Sequence, residues 1–246
     1  ESGSNWVNRE FETLPTRAQD RFHVREEDIK YFREVIYPYW SGKSLEDVLQ
    51  NTYGAEMSAI GKVAKINQTD HAQGHICPDV KLWLDRGPSG LCTDAKQRAL
   101  NSDGHQKDFY EAIAIVMEAS CSFMRRYAAL AREIAEQDSV HGKTLEQVAA
   151  VCDAISTRPP QTFHEALQST WFLFVILQME SNASSFSPGR LDRILWPYYE
   201  ADENGGRIDE DAALELIECL WLKFNQIVYM REARNILQDS PLASML

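Results

Sequence analysis

A mainly α-helical chain follows from three features of the sequence. Apolar residues recur at spacings of three and four along most of its length. Helix-start signatures precede several of these runs: Ser44 ahead of Leu45, Thr144-Leu145-Glu146-Gln147, Thr162-Phe163-His164-Glu165, and Asp209. Alternating β-branched runs, which would mark strands, are scarce outside helical contexts. The periodicity predicts about seven helices, with no internal repeats and no low-complexity segments.

Residues 1–24 mix Trp6, Phe11 and Pro15 with charge and are expected to form an irregular lead-in. Over 26–37, Ile29, Phe32, Ile36 and Tyr37 share one side of a helix that Pro38 should end. A turn over 39–44 leads to a second helix through Leu45, Val48 and Leu49, capped by Ser44. The stretch 61–74 becomes polar toward its far end and reads as loop. Val80, Leu82, Trp83 and Leu84 give a short amphipathic helix broken at Gly87-Pro88. The longest periodic run, 103–137, has a packing stripe of Phe109, Ile113, Val116, Met117, Phe123, Met124, Tyr127, Leu130 and Ile134, and alanines that favour helix. A turn over 138–143 precedes a helix from the Thr144 capping box to about Ile155.

The stretch 158–202 organises the rest. Thr162 caps a helix over 163–179 that is apolar on nearly every face, which predicts burial in a large core rather than a surface position. Its length approaches a bilayer span, but Glu165, Gln168 and Gln178 interrupt it, so a buried core helix is expected. Small polar residues follow over 181–190. They place hydroxyls at the edge of a core, which suits a small-substrate pocket, and they equally suit a helix end and turn. An aromatic segment broken by Pro197 comes next, and then a last helix from the Asp209 cap to Val228.

Composition narrows the function. The 246 residues suffice for one large domain or two small ones. A net charge of −12, from 37 acidic and 25 basic residues, argues against nucleic acid and anionic membrane as main partners and leaves small molecules open. The first residues, Glu1-Ser2-Gly3-Ser4-Asn5, show no leader pattern, so a cytoplasmic location is expected. Five cysteines, odd in number and without a CxxC pair, argue against a disulfide framework or a zinc ribbon and for a reducing compartment; no metal site is expected. Cys121 and Cys219 fall in helical apolar patterns and are expected to be plain buried thiols.

Four blocks of the central stretch carry a resemblance. They are Thr162-Phe163-His164-Glu165-Ala166-Leu167-Gln168, Leu177-Gln178-Met179-Glu180-Ser181-Asn182, Ser187-Pro188-Gly189-Arg190-Leu191-Asp192 and Trp196-Pro197-Tyr198-Tyr199. In this order and spacing the chain resembles the glycyl radical enzymes, in the pyruvate formate-lyase-like branch. Tyr39-Trp40-Ser41-Gly42-Lys43-Ser44-Leu45, and Gly74-His75 followed by Pro78-Asp79, resemble the same family. The likeness runs roughly from residue 6 to 231 and corresponds to the amino-terminal third or so of the family.

The resemblance implies a ten-stranded α/β barrel for the full-length parent, with 1–246 as a partial pyruvate formate-lyase-like domain supplying outer helices and part of the pocket wall. It implies radical chemistry in a dry enclosure. A separate radical SAM activating enzyme makes a glycyl radical, a cysteine thiol takes it over, and the thiyl abstracts hydrogen from a small polar substrate. The substrate radical then loses water, an amine, a carboxylate or an acyl group. The parent would be a lyase, a dehydratase or a formate acetyltransferase-like enzyme working anaerobically in the cytoplasm, and the family leaves room for a homodimer. No glycine here stands in an Arg-Val-Ala-Gly-Tyr-like context, and no cysteine in a Gly-Cys-Val/Ile-Glu-like one. The chain alone is therefore expected to be inactive and to bind no cofactor. The alternative is a non-catalytic helical protein or remnant derived from the family.

Residue by residue, the resemblance makes His75 the proton donor or relay to a departing substrate hydroxyl, a role that suits imidazole near neutrality. A loop histidine that merely bonds backbone is the plainer alternative. Ser185 aligns with the serine after Gly-His in several dehydratases and would hydrogen-bond substrate. Ser184 stands where those dehydratases carry histidine, which points away from a glycerol or diol substrate. Asp70 and His71 are further pocket candidates. Arg190 and Asp192 are expected to hold their loop through a local ion pair.

Overall fold

The computed structural model describes residues 4–18, 20–61, 63, 77–181, 186–228 and 230. Among them the regular elements are helical, with no extended strand. They fall into two compact units: one of Glu1–His75, Glu180–Ser185 and Val228–Leu246, the other of Ile76–Met179 and Phe186–Ile227.

In the first unit the lead-in is not irregular. Helix α1 (Ser4–Glu10) runs into a 3₁₀ turn (Phe11–Thr13). Trp6, Val7 and Leu14 bury themselves beneath Phe11, Phe22, Val24, Phe32 and Met230, a small core that the surrounding charge disguised. Helix α2 (Glu26–Tyr31) passes through a π turn (Phe32–Ile36) into α3 (Tyr37–Trp40), so Pro38 does not end the helix. The widened turn resolves the conflict. Pro38 has no N–H, and the Tyr37 N–H bonds back to Phe32 across five residues. Helix α4 (Leu45–Gly61) starts at Ser44, as expected, in a reciprocal cap. The Asp47 N–H donates to Ser44 Oγ at 3.1 Å, and Ser44 Oγ donates to Asp47 Oδ2 at 2.6 Å.

The second unit holds α5 (Val80–Leu100), α6 (Gly104–Gln137), α7 (Gly142–Thr157), α8 (Phe163–Ser181) as far as Met179, α9 (Leu191–Asn204) and α10 (Glu210–Gln226). The break at Gly87 is a single-residue kink, after which the chain turns helical again to Leu100. Gly87 sits at φ +62, and a Cβ there would stand 3.2 Å from the Pro159 nitrogen, so both conformation and space demand glycine. Likewise Pro197 does not break α9. Arg193, whose carbonyl loses its helical partner, and Pro197 are both exposed, so water can serve that carbonyl.

Two packing expectations change. The buried face of α6 is Ala114, Ser120, Cys121, Met124, Ala128 and Ala131, and all but Met124 are small residues that let α5 and α7 approach closely. Of the expected packing stripe, Met124 is buried and Ile113, Met117 and Phe123 pack partly buried against the core, whereas Phe109, Val116, Tyr127, Leu130 and Ile134 are more than two-fifths exposed. Helix α7 begins two residues before Thr144, because the Asp138 carboxylate accepts the Val140 and His141 N–H groups at 2.9 and 3.0 Å. The last helix ends at Gln226, two residues short of the expected Val228.

The core of this unit gathers on α8. Phe163, Ala166, Leu167, Phe172 and Leu173 pack against Val80, Trp83 and Leu84 of α5, Met124 and Ala128 of α6, Cys152 and Ile155 of α7, and Leu195, Ala213 and Leu220. The first half of α8 is buried as predicted, whereas Met179 near its end is 59% exposed. No described helix is long and apolar enough to cross a membrane.

Candidate functional site

The expected pocket is bounded by two stretches of chain. His75, Asp70, His71, Ser184 and Ser185 lie outside the described residues. The chain is described again from Cys77 and from Phe186, and Cys77 meets Gly189.

Cys77, two positions after His75, begins the described run into α5. Asp79 caps that helix, its Oδ1 accepting the Leu82 N–H at 2.9 Å. Phe186, the neighbour of Ser185, sets its ring edge-on to Phe174 of α8 with centroids 6.3 Å apart. The chain then tightens. Ser187 Oγ accepts the Gly189 N–H at 3.2 Å, and Gly189 takes φ +68. A Cβ at Gly189 would stand 3.1 Å from Cys77 Sγ, too close without a shift. Glycine is thus required by its left-handed backbone and by the thiol lying against it. Through this contact the segment after His75 touches the loop after Ser185.

Arg190 clamps Asp192 with two bonds, Nε to Oδ1 at 2.8 Å and Nη2 to Oδ2 at 2.6 Å. The guanidinium holds the Asp192 carboxyl down at about 2. The pair is local, as the sequence suggested. Both groups face water, so the pair shapes the loop without adding much stability.

At its other end α8 is pinned by charge. Asp202, only 3% exposed, accepts the Phe163 N–H at 2.7 Å and the Arg207 Nε–H at 2.7 Å. Thr162 Oγ1 accepts the Glu165 N–H at 3.2 Å, the first half of the expected capping box. The Glu165 carboxylate is held by Arg158, at 2.8 and 2.7 Å, and by the Gln161 N–H at 2.7 Å. Nothing in the sequence marks Asp202 for its role, because its partner is 39 positions away. Replacing Asp202 by Ala leaves a buried N–H without an acceptor, and a loss of about 2–3 kcal/mol in urea unfolding is expected. Asp202→Asn, which keeps an acceptor, is expected to lose about half of that.

Two neighbouring groups make this end of α8 sensitive to acid. Burial pushes the His164 imidazole below its ordinary range, against the pull of Glu165. Burial raises the Glu165 carboxyl, but the Arg158 guanidinium and the Gln161 N–H outweigh it and hold the group below the ordinary range. Unfolded, each group binds its proton at a higher pH than it does folded. The stability they contribute is therefore complete above an unfolded histidine value of about 6.5 and falls as pH drops through the carboxylate range. The melting temperature is expected to fall from pH 7 to pH 5, with His164→Gln flattening that limb.

The other charged and thiol groups do less. All five cysteines are free, and burial raises the Cys152 thiol to about 11. Cys121 is buried as expected, whereas Cys219 is exposed because it falls on the outer side of α10. Among the described residues no cluster of three His, Cys, Asp or Glu could hold a metal ion.

Comparison with known proteins places this geometry in context. The family model described as pyruvate formate lyase-like matches residues 1–239. The isethionate sulfite-lyase of Nitratidesulfovibrio vulgaris is 32% identical over 248 residues, covering 93% of this chain and 30% of that protein. The crystal structure of the hydroxyproline dehydratase of Clostridioides difficile, with trans-4-hydroxy-L-proline bound, superposes with a TM-score of 0.80 at 31% identity, over 95% of this chain and 31% of its own. A glycyl radical enzyme from Archaeoglobus fulgidus gives 0.78 at 29% identity, over 90% and 30%. The chain thus spans about 30% of the length of the relatives it matches.

Proposed function

The chain belongs to the pyruvate formate lyase-like family of glycyl radical enzymes, and from that membership we infer that it is the part of a glycyl radical lyase or dehydratase that walls one side of the substrate pocket. The domain 1–246 would be an incomplete catalytic domain, its helices lying outside the barrel of the parent. Cleavage of a C–O, C–C or C–N bond in a small polar molecule is the reaction class. Hydrogen abstraction would depend on the glycyl radical and the thiol of the parent.

One observation carries this reading: Cys77 lies against Gly189. His75 and Ser185 would belong to the pocket, and Cys77 and Gly189, two and four positions past them, touch. His75 would give its proton to the departing hydroxyl, which leaves as water. Ser185, with Ser184, Asp70 and His71 as further candidates, would hold the substrate's polar groups and so direct the leaving group toward the imidazole. Buried hydroxyls with unmet bonds discriminate strongly between substrates that offer the matching group and those that do not.

Sequencing the genomic locus and expressing its full product test the reading. A continuation that carries the cysteine and glycine motifs, with a radical SAM activating enzyme nearby, and a glycyl radical signal in the activated anaerobic product, are expected. An intact locus with neither motif would contradict it.

A further inference from the structure

The contact between Cys77 and Gly189 is anchored on both sides. On the α5 side, the Val80 N–H donates to the Pro78 carbonyl at 2.8 Å, Asp79 caps the helix, and Val80 is 2% exposed in the core. The ring of Pro78 fixes its own φ, so little freedom is left between Cys77 and the buried Val80. On the other side, Gly189 is held at φ +68 between two bonds. Its N–H donates to Ser187 Oγ at 3.2 Å, and its carbonyl accepts the Leu191 N–H at 3.0 Å. Cys77 Sγ lies 3.1 Å from the point where a Cβ of residue 189 would stand. Where both partners of a close contact are anchored, added volume has to be taken up by a shift of backbone. At this contact the shift falls on residue 77. His75 is two peptide units away, a reach of at most about 7 Å, so its backbone follows.

We propose that Cys77 is a positioning residue: its side chain, seated on Gly189, sets where the His75 imidazole stands relative to the bond that breaks. The proposal rests on the reading above, because it takes His75 as the proton donor. A proton is delivered only across hydrogen-bond distance, and a misplacement of about 1 Å can cost about 10²-fold in rate. A thiol suits the seat. Its single unbranched sulfur can rest on a residue that has no side chain, and its polar demands are weak. The Pro78 carbonyl, 3.9 Å from Sγ, is enough to meet them. The thiol is free of any disulfide, and among the described residues it belongs to no metal-holding cluster. Its volume, rather than its reactivity, is what the contact uses.

Steady-state kinetics of the activated full-length parent, together with thiol labelling of this chain, test the proposal. Cys77→Leu is expected to lower kcat about tenfold or more while KM changes less than about threefold. It should keep the alkaline limb of the pH profile that loss of the imidazole removes, because the proton donor is displaced and not deleted. Cys77→Ser, close to the thiol in size, is expected to stay within about threefold of the unaltered kcat. Gly189→Ala sets a methyl against Sγ and is expected to lower kcat about threefold or more, and adding Cys77→Ala should recover at least half of that loss. Circular dichroism of every variant is expected to match the unaltered protein. In the chain carrying Cys219→Ala, Gly189→Ala should speed alkylation of Cys77 by iodoacetamide about threefold or more by pushing the thiol off its seat. Unchanged labelling would show that the thiol does not rest on Gly189. A folded Cys77→Leu variant with kcat within twofold of the unaltered enzyme, or a Gly189→Ala loss that Cys77→Ala does not relieve, would show that the contact does not position the imidazole. Each of these results overturns the proposal and leaves the role of His75, read from its own substitution, standing. A parent without turnover would overturn both together.

Discussion

Replacing His75 by Gln in the full-length parent is expected to lower turnover by about 10²–10⁴-fold, the range set by removing a positioned proton donor. Glutamine keeps a hydrogen-bonding amide of similar size but cannot deliver a proton. The melting temperature of the chain is expected to stay within about 1 °C if the imidazole serves the reaction rather than the fold. A histidine that only bonds backbone would give the opposite pattern, with stability lost and turnover kept. The pH profile separates the roles further. With His75 in place, turnover should fall on the alkaline side as the imidazole loses the proton it donates, and His75→Gln should remove that limb. Steady-state rates and thermal unfolding on the same variant decide the matter, and turnover within twofold of the unaltered enzyme would remove His75 from the mechanism.

Trp83→Ala is expected to cost about 3–5 kcal/mol, a large part of the stability of a marginally stable fold. The indole is 4% exposed and lies in the core beneath α8. Its Nε1–H donates to both the carbonyl and the hydroxyl of Ser169, at 3.0 and 2.9 Å. The bond ties α5, which begins just after Cys77, to the middle of α8, whose Phe174 carries Phe186. Loss of Trp83 therefore loosens the packing of α5 against α8. Trp83→Phe keeps most of the volume and isolates the hydrogen bonds, and about 1–3 kcal/mol is expected for it. Urea unfolding followed by circular dichroism measures both. Equal losses for Phe and Ala would mean that the bond, rather than the packing, sets the cost.

The helices were legible because their signals are local. Ser44, Thr162 and Asp209 all cap as the sequence indicates, since each serves N–H groups within three residues. Errors arose where a distant group decided the outcome. Pro38 and Pro197 look like breaks, but a π turn rescues one and solvent the other. Part of the α6 stripe, Met124 above all, packs as expected, whereas its larger outer residues give way to the alanine face because close packing against α5 and α7 favours small side chains. Asp202 could not be foreseen, since its partner Phe163 lies in another helix. The candidate site rests on family likeness alone, and its residues lie outside the described ones. Neither periodicity nor charge distinguishes His75 from any other loop histidine, and the Cys77–Gly189 approach has no local sequence signature.

A cross-link between residues 75 and 185 tests the convergence of the two stretches most directly. In a background with the exposed Cys77 and Cys219 changed to Ala, the variant His75→Cys/Ser185→Cys is treated with a short bismaleimide and digested for mass spectrometry. A bridge within one chain, formed in buffer and lost in urea, is the predicted result. A double variant that links no more than the single variants would show that these stretches do not share a pocket.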